Sequence, residues 1–195
     1  MTVADQWHRV LGLVRLPDEP RVLLASPDNE AEVLTAVSRL WPRARLTTVS
    51  VGERLPADSS ALDLALFDHA LDDIVLEAVA RAEGISDGDR RGEHAPRVRA
   101  IRAYWRSGEL ERVARPALAK LVAACERALR PGALIIFSHR VAGADLPGQP
   151  MDFYTDCLAL ARRWLSSAGL PLEEIQLDTL DPHWWLSLRK VSSAS

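Results

Sequence analysis

Two apolar runs of the sequence are each followed at once by residues that could take part in chemistry. Asp68 and His69 follow the run at 62–67, and His139 lies just beyond the run at 133–137. A carboxylate beside an imidazole can orient a substrate or accept a proton near neutral pH, and a second histidine can act as another base or as a substrate anchor. This arrangement predicts a catalytic group made of Asp68, His69 and His139.

The acidic residues around Asp68 have other interpretations. Asp72 and Asp73, together with Asp68 and His69, could offer the clustered ligands that a divalent cation prefers. A helix that begins near Ala70 would instead place Asp72 and Asp73 in its first turn, where the helix dipole stabilises negative side chains. Asp68 itself could cap that helix. We expect helix capping here and no metal site.

Polar side chains also lie at or just beyond the ends of two earlier runs of strand-forming residues, at 21–25 and 44–51. They are Ser26, Asp28, Asn29, Ser50 and Glu53. The first three could face the amino or hydroxyl groups of a ligand, or cap the next helix. The last two could bind a ribose, or belong to an exposed turn. Ligands of open α/β sheets lie beyond the carboxyl ends of the strands, so all five are candidate binding residues.

The segment 84–117 is rich in arginine, with eight arginines against five acidic residues. It supplies four candidate substrate-binding residues: Arg102, Tyr104, Trp105 and Arg106. They could hold an anionic substrate, a phosphate or single-stranded nucleic acid, or they could form a solvated helix face. Residues 84–96 contain three glycines and no apolar cluster, which predicts a long loop of the kind that acts as a lid or binding loop.

These candidates need a scaffold, and the alternation of short apolar runs with longer helical patterns predicts an α/β fold. Strands are predicted at 21–25, 44–51, 62–67, 133–137, 172–177 and 184–190. Helices are predicted at 2–16, 30–41, 71–82, 98–105, 110–129 and 152–168. Strand–helix–strand units cross over in the right-handed sense and form parallel sheets covered by helices on both faces. The run at 133–137 is the most apolar, which predicts a central strand.

Composition and charge narrow the class of protein. The 195 residues suit a single domain, 1–195, and the formal net charge of -3 disfavours a general binder of nucleic acid or anionic membrane. No apolar stretch approaches the roughly 20 residues needed to span a bilayer, so we expect a soluble, cytoplasmic protein. Cys125 and Cys157 are isolated in the sequence, which leaves no disulfide framework and no CxxC metal or redox motif.

Four stretches of the sequence resemble the class I S-adenosylmethionine-dependent methyltransferases. They are LWPRARLTTVS at 40–50, LP at 55–56 with SALDLALFDHALDDI at 60–74, ALRPGALIIF at 128–137, and HWW at 183–185. The third is the most specific, because it is similar to the proline–glycine turn before the family's fifth strand. The resemblance covers about residues 21–190. It implies a Rossmann-like, mostly parallel sheet of about six strands, shortened between strands 2 and 4.

The resemblance also implies a cofactor and a reaction. It implies S-adenosylmethionine, bound by Ala25, Ser26, Asp28, Ser50, Glu53 and Asp68, and methyl transfer to a small-molecule substrate.

Two features depart from the family pattern. The turn at 25–29 has no glycine, and Ser50 stands where the family has an acidic residue, which Glu53 could replace. Side chains at 25–27 occupy space that glycines would leave open, so we expect weak cofactor binding. The departures support a second hypothesis, a methyltransferase-like protein without transfer activity that acts as a ligand-binding or partner subunit. An RNA-directed enzyme is less favoured because of the net charge, and a homo-oligomer stays open.

Overall fold

The computed structural model describes residues 2–25, 30–49, 61–84, 94–139, 151–177 and 185–191, with the backbone alone at 72, 94–99, 102 and 151–156. In chain order the elements are α1 (Val3–Leu11), β1 (Arg21–Ala25), α2 (Glu30–Leu40), β2 (Arg45–Thr48), β3 (Leu62–Asp68), α3 (Ala70–Ala82), α4 (His94–Ser107), α5 (Leu110–Ala128), β4 (Leu129–Ser138), α6 (Met151–Ser166), β5 (Leu172–Ile175) and β6 (Trp185–Lys190). None of the helices in these ranges has the length and apolarity needed to cross a membrane.

The six strands form one sheet in the order β2-β1-β3-β4-β6-β5. Strands β2, β1, β3 and β4 are parallel neighbours, whereas β6 runs antiparallel to both β4 and β5. The predicted α/β class, with a mostly parallel Rossmann-like sheet flanked by helices, is confirmed. The strand at 133–137, predicted to be central, belongs to β4, which lies inside the sheet between β3 and β6.

Strand β3 shows how the sequence produces this sheet. Successive side chains of a strand point to opposite faces. Ala65 and Phe67 pack in the hydrophobic cluster beneath α3, α4, α5 and α6, and Leu64 and Leu66 pack in the cluster beneath α1 and α2. The Phe67 ring stacks on Phe137 of β4, with ring centroids 4.7 Å apart. Because both faces of the strand are covered, its sequence is a nearly continuous apolar run.

The start of β4 differs from its prediction. The strand begins at Leu129 rather than at residue 133, so the proline–glycine pair lies within it. Leu62 of β3 pairs with Leu129 and Leu64 pairs with Leu134, so four residues of β4 lie opposite a single residue of β3. Gly132 has a φ of 79°, a conformation that a residue without a side chain adopts at little cost. The proline–glycine turn that the resemblance implies is therefore part of an irregular first section of the strand.

Other element boundaries differ by a few residues. Helix α1 ends at Leu11, well before the predicted end at 16, and β5 ends at Ile175 rather than at 177. Helix α4 begins at His94, so residues 94–96 are helical rather than part of the predicted loop, whose residues 85–93 lie outside the described ranges. Local patterns locate the elements, and contacts with the rest of the chain set their ends.

The burial of Cys125 leads to a prediction about alkaline pH. Its side chain lies in the cluster beneath α3, α4, α5 and α6, and burial raises the pKa of the thiol to about 12. The neutral thiol is therefore favoured in the folded chain, so stability should be full below the ordinary thiol pKa of about 9 and fall as pH rises toward 12. Urea unfolding at pH 8 and pH 10 should show this fall, and Cys125→Ala should reduce it. An unchanged pH dependence in Cys125→Ala would contradict the prediction.

Candidate functional site

The carboxyl ends of β3 and β4 bring the predicted catalytic residues to one edge of the sheet. The two strands are parallel neighbours, and Asp68 pairs in register with Ser138. The His69 backbone N–H donates to the Ser138 carbonyl at 3.1 Å. The His69 and His139 rings lie with their centroids 6.4 Å apart. Two sequence-distant pairs, residues 68–69 and 138–139, therefore form one group of polar side chains, named here the strand-end cluster.

Asp68 is the buried centre of the strand-end cluster. Its exposed fraction is 0%, and its Oδ1 accepts a hydrogen bond from Trp7 Nε1 at 2.9 Å. The Ser138 hydroxyl donates to the same oxygen. Sequence reasoning requires that a carboxylate at this position be paired or face solvent, since an unpaired buried charge is costly. Asp68 is paired, and its partners are the side chains of a helix and of the neighbouring strand.

His69 occupies an unusual backbone conformation. It is the N-cap residue of α3, its φ is 55°, and its side chain makes no capping hydrogen bond. Few residues other than glycine adopt this left-handed conformation. The left-handed conformation of His69 turns the chain sharply between the end of β3 and the start of α3. Asp68 is therefore the last residue of β3, and His69 rather than Asp68 occupies the N-cap position of α3.

The three predicted catalytic residues differ in exposure. Asp68 is fully buried and His139 is 1% exposed, whereas His69 is half-buried. A group that exchanges a proton with a ligand must come within hydrogen-bond reach of it. In this conformation His69 has the exposed surface that such contact needs, and Asp68 lies beneath the surface.

Trp7 is the member of the site that sequence reasoning missed. It lies on α1, is fully buried, and packs edge-to-face on Trp185 with ring centroids 4.9 Å apart. In the sequence it reads as one of several apolar residues at helical spacing. The chemistry of the Trp7 and Asp68 side chains is the one clue to this pair, because a buried indole N–H needs an acceptor and a buried carboxylate needs donors. Pairing Trp7 with Asp68 would have required knowledge of which helix covers which strand.

The order in which successive strands are added to the sheet reverses next to the strand-end cluster. The chain passes from β1 to β2 on one side and then to β3 on the other, so the order of strands reverses at β1 and β3. Ligands of open α/β sheets lie in the crevice at such a point. Ala25 ends β1 opposite Phe67, and its small side chain is 1% exposed. The strand order places the expected crevice beyond Ala25 and the strand-end cluster.

Most predicted cofactor contacts fall outside the described residues. These are Ser26, Asp28, Ser50 and Glu53, together with Asn29. Their roles stay predictions. In the part of the chain that the structure describes, no group of three or more histidine, cysteine, aspartate or glutamate side chains is arranged to hold a metal ion.

The predicted substrate-binding residues lie on α4. The Tyr104 hydroxyl donates to Glu83 Oε1 at 2.7 Å, and this hydrogen bond raises the pKa of the phenol and ties α4 to the end of α3. Trp105 lines a cavity of about 360 Å³ together with residues of α5 and α6, among them Trp164. Arg106 is exposed, and the Arg102 side chain lies outside the description. Contact of these residues with a substrate, and the lid role of the segment, stay predictions.

Known proteins resemble the chain in fold. No protein-family model and no curated protein matches it. It is similar to a structure named as an O-methyltransferase from Nostoc punctiforme, with 16% identity and a TM-score of 0.50 over 96% of this chain and 57% of that one. It is also similar to human N-acetylserotonin methyltransferase in complex with S-adenosylmethionine, with 12% identity and a TM-score of 0.49 over 97% and 54%. The chain thus spans little more than half the length of these structures.

The chain has the α/β fold of the class I S-adenosylmethionine-dependent methyltransferases, as its sequence motifs predicted. At this level of identity the likeness defines the fold alone. Activity must be argued from the site, because one fold supports many functions.

Proposed function

We propose that the chain binds S-adenosylmethionine at the carboxyl ends of β1 and β2 and transfers its methyl group to a small molecule near the strand-end cluster. The strand-end cluster carries the proposal. It lies beside the crevice of a methyltransferase-type sheet, where ligands of open α/β folds bind. The proposed cofactor contacts are Ala25, Ser26, Asp28, Ser50, Glu53 and Asp68.

The cofactor supplies a methyl group already activated by its sulfonium, so the protein contributes mainly alignment. A base is needed when the acceptor arrives protonated, and His69 is the group in the strand-end cluster with the exposure to accept that proton. Asp68 is a positioning residue in this proposal, because its bonds to Trp7 and Ser138 hold the strand end from which His69 projects. His139 packs beside His69 and limits where its ring can lie.

A second candidate function is ligand binding without methyl transfer. The burial of Asp68 and His139 supports it, since it leaves His69 as the exposed member of the predicted catalytic group. The crevice would still accept the cofactor, and the chain would then act as a binding or partner subunit.

Calorimetric titration with S-adenosylmethionine and S-adenosylhomocysteine tests the cofactor, and formation of S-adenosylhomocysteine with phenol, amine and carboxylate acceptors tests transfer. We expect both ligands to bind. We expect His69→Gln to lower transfer about 100-fold while cofactor affinity is unchanged, as for loss of a general base. His8→Gln, on the exposed face of α1, is the matched control and should change neither quantity. Absence of binding would refute both functions, and binding without product would favour the second.

A further inference from the structure

A second cavity lies on the sheet face beside α1. Its volume is about 320 Å³, and its described lining belongs to the end of α6, to β5 and the residues after it, and to β6. The lining residues are Arg162, Glu174, Ile175, Gln176, Leu177, Trp185 and Ser187. This volume falls at the lower end of the range that holds small molecules, about 300–1,000 Å³.

One side of this cavity is apolar, whereas its other lining residues are polar or charged. Ile175, Leu177 and Trp185 are each half-buried and pack against the hydrophobic cluster beneath α1 and α2. The Trp185 ring packs edge-to-face with Trp7. Because Trp185 is half-buried and lines the cavity, part of its indole is accessible to a ligand, and aromatic pairs contribute beyond the area they bury.

A hydroxyl group lies at the floor of the cavity. Ser187 pairs with Ile136 on one side and with Ile175 on the other, so it sits between apolar neighbours, and it is 4% exposed. Among the described residues, no hydrogen bond to its Oγ is found. The hydroxyl is therefore available to a ligand that enters the cavity.

The charges at the rim cancel each other. Arg162 Nε lies 2.6 Å from Glu174 Oε1, and Arg162 Nη2 donates to the Trp185 carbonyl at 2.6 Å. The guanidinium is thus held by a carboxylate and by the strand itself. A charged ligand would have to displace one of these partners, so the rim favours a neutral one.

We propose that this cavity is a binding site for a neutral, planar aromatic molecule that carries one hydrogen-bonding oxygen. The ring packs on Trp185, Ile175 and Leu177, and the oxygen bonds the Ser187 hydroxyl. The site shares no lining residue with the strand-end cluster and does not depend on methyl transfer. It matches the usual make-up of small-molecule sites, an apolar wall with a few placed polar groups.

Titration with acetophenone and with ethylbenzene, which has the same shape without the oxygen, tests this site. The indole N–H NMR signal of Trp185 is assigned from its loss in Trp185→Phe. This signal should shift saturably as acetophenone is added, and its response to ethylbenzene should show weaker binding. Ser187→Ala should weaken acetophenone binding about fivefold, the effect of one hydrogen bond, and leave ethylbenzene unchanged. Trp105→Leu, which alters the other cavity, is the matched control and should bind both probes as the parent chain does.

Three results would overturn the proposal. The first is the absence of a saturable shift at Trp185 up to the solubility of the probes. The second is an equal response of the parent chain and Ser187→Ala to acetophenone. The third is loss of binding in Trp105→Leu, which would place the probe in the other cavity. The downfield indole N–H signal of Trp7, bonded to Asp68, reports in every variant that the fold is intact.

Discussion

Replacing Asp68 with alanine should lower the free energy of unfolding by about 2–5 kcal/mol, because it removes the acceptor of two buried donors. Trp7 Nε1 and the Ser138 hydroxyl both donate to Asp68 Oδ1. Asp68 and Trp7 are 0% exposed and Ser138 is 2% exposed, so water does not reach the donors left behind. Urea denaturation followed by tryptophan fluorescence measures the loss.

Three further variants make this expectation specific. Asp68→Asn keeps a carbonyl oxygen in place and should lose less stability than Asp68→Ala. The double variant Asp68→Ala with Trp7→Phe should lose less than the sum of its single changes, because no indole N–H is left unpaired. Asp18→Ala, at an exposed position, should stay within about 0.5 kcal/mol of the parent. If Asp68→Ala were as stable as Asp18→Ala, the bonds to Trp7 and Ser138 would not contribute to folding.

The position of the strand-end cluster could be predicted from the sequence because it depends on local patterns. An apolar run that stops at Asp68 marks the end of a buried strand, and the same holds at Ser138. Parallel pairing of these strands follows from general rules for crossover connections. Together these arguments place Asp68, His69 and His139 at one edge of the sheet, where the structure has them.

The complete burial of Asp68 could not be predicted from local sequence patterns. Its partner Trp7 lies 61 residues away on a helix whose packing position no local pattern specifies. The left-handed conformation of His69 could not be predicted either. Histidine has no strong preference for it, and the surrounding strand and helix impose it. Sequence reasoning therefore located the members of the strand-end cluster, while contacts between distant elements decided which of them are buried.

A second buried carboxylate lies at the amino ends of the same strands. Asp63 is 5% exposed, and its Oδ2 accepts the backbone N–H of Arg21 at 2.7 Å. Its Oδ1 lies 2.6 Å from Arg130 Nε. These contacts attach the first residue of β1 and the irregular start of β4 to β3. The sheet is thus joined by a buried carboxylate at each end of β3, Asp63 at one and Asp68 at the other.

Arg130→Ala should lower the free energy of unfolding by about 2–3 kcal/mol, because the buried Asp63 carboxyl would lose its guanidinium partner and keep the Arg21 N–H as its described partner. Breaking a fully buried ion pair costs about 3–5 kcal/mol. The Arg130 side chain is 46% exposed, so solvent already weakens the pair and the expected loss is smaller. Adding Asp63→Asn to Arg130→Ala should recover part of the loss, since the amide carries no charge. Arg127→Ala, exposed on α5, is the matched control, and equal urea midpoints for Arg127→Ala and Arg130→Ala would show that Asp63 does not need the guanidinium.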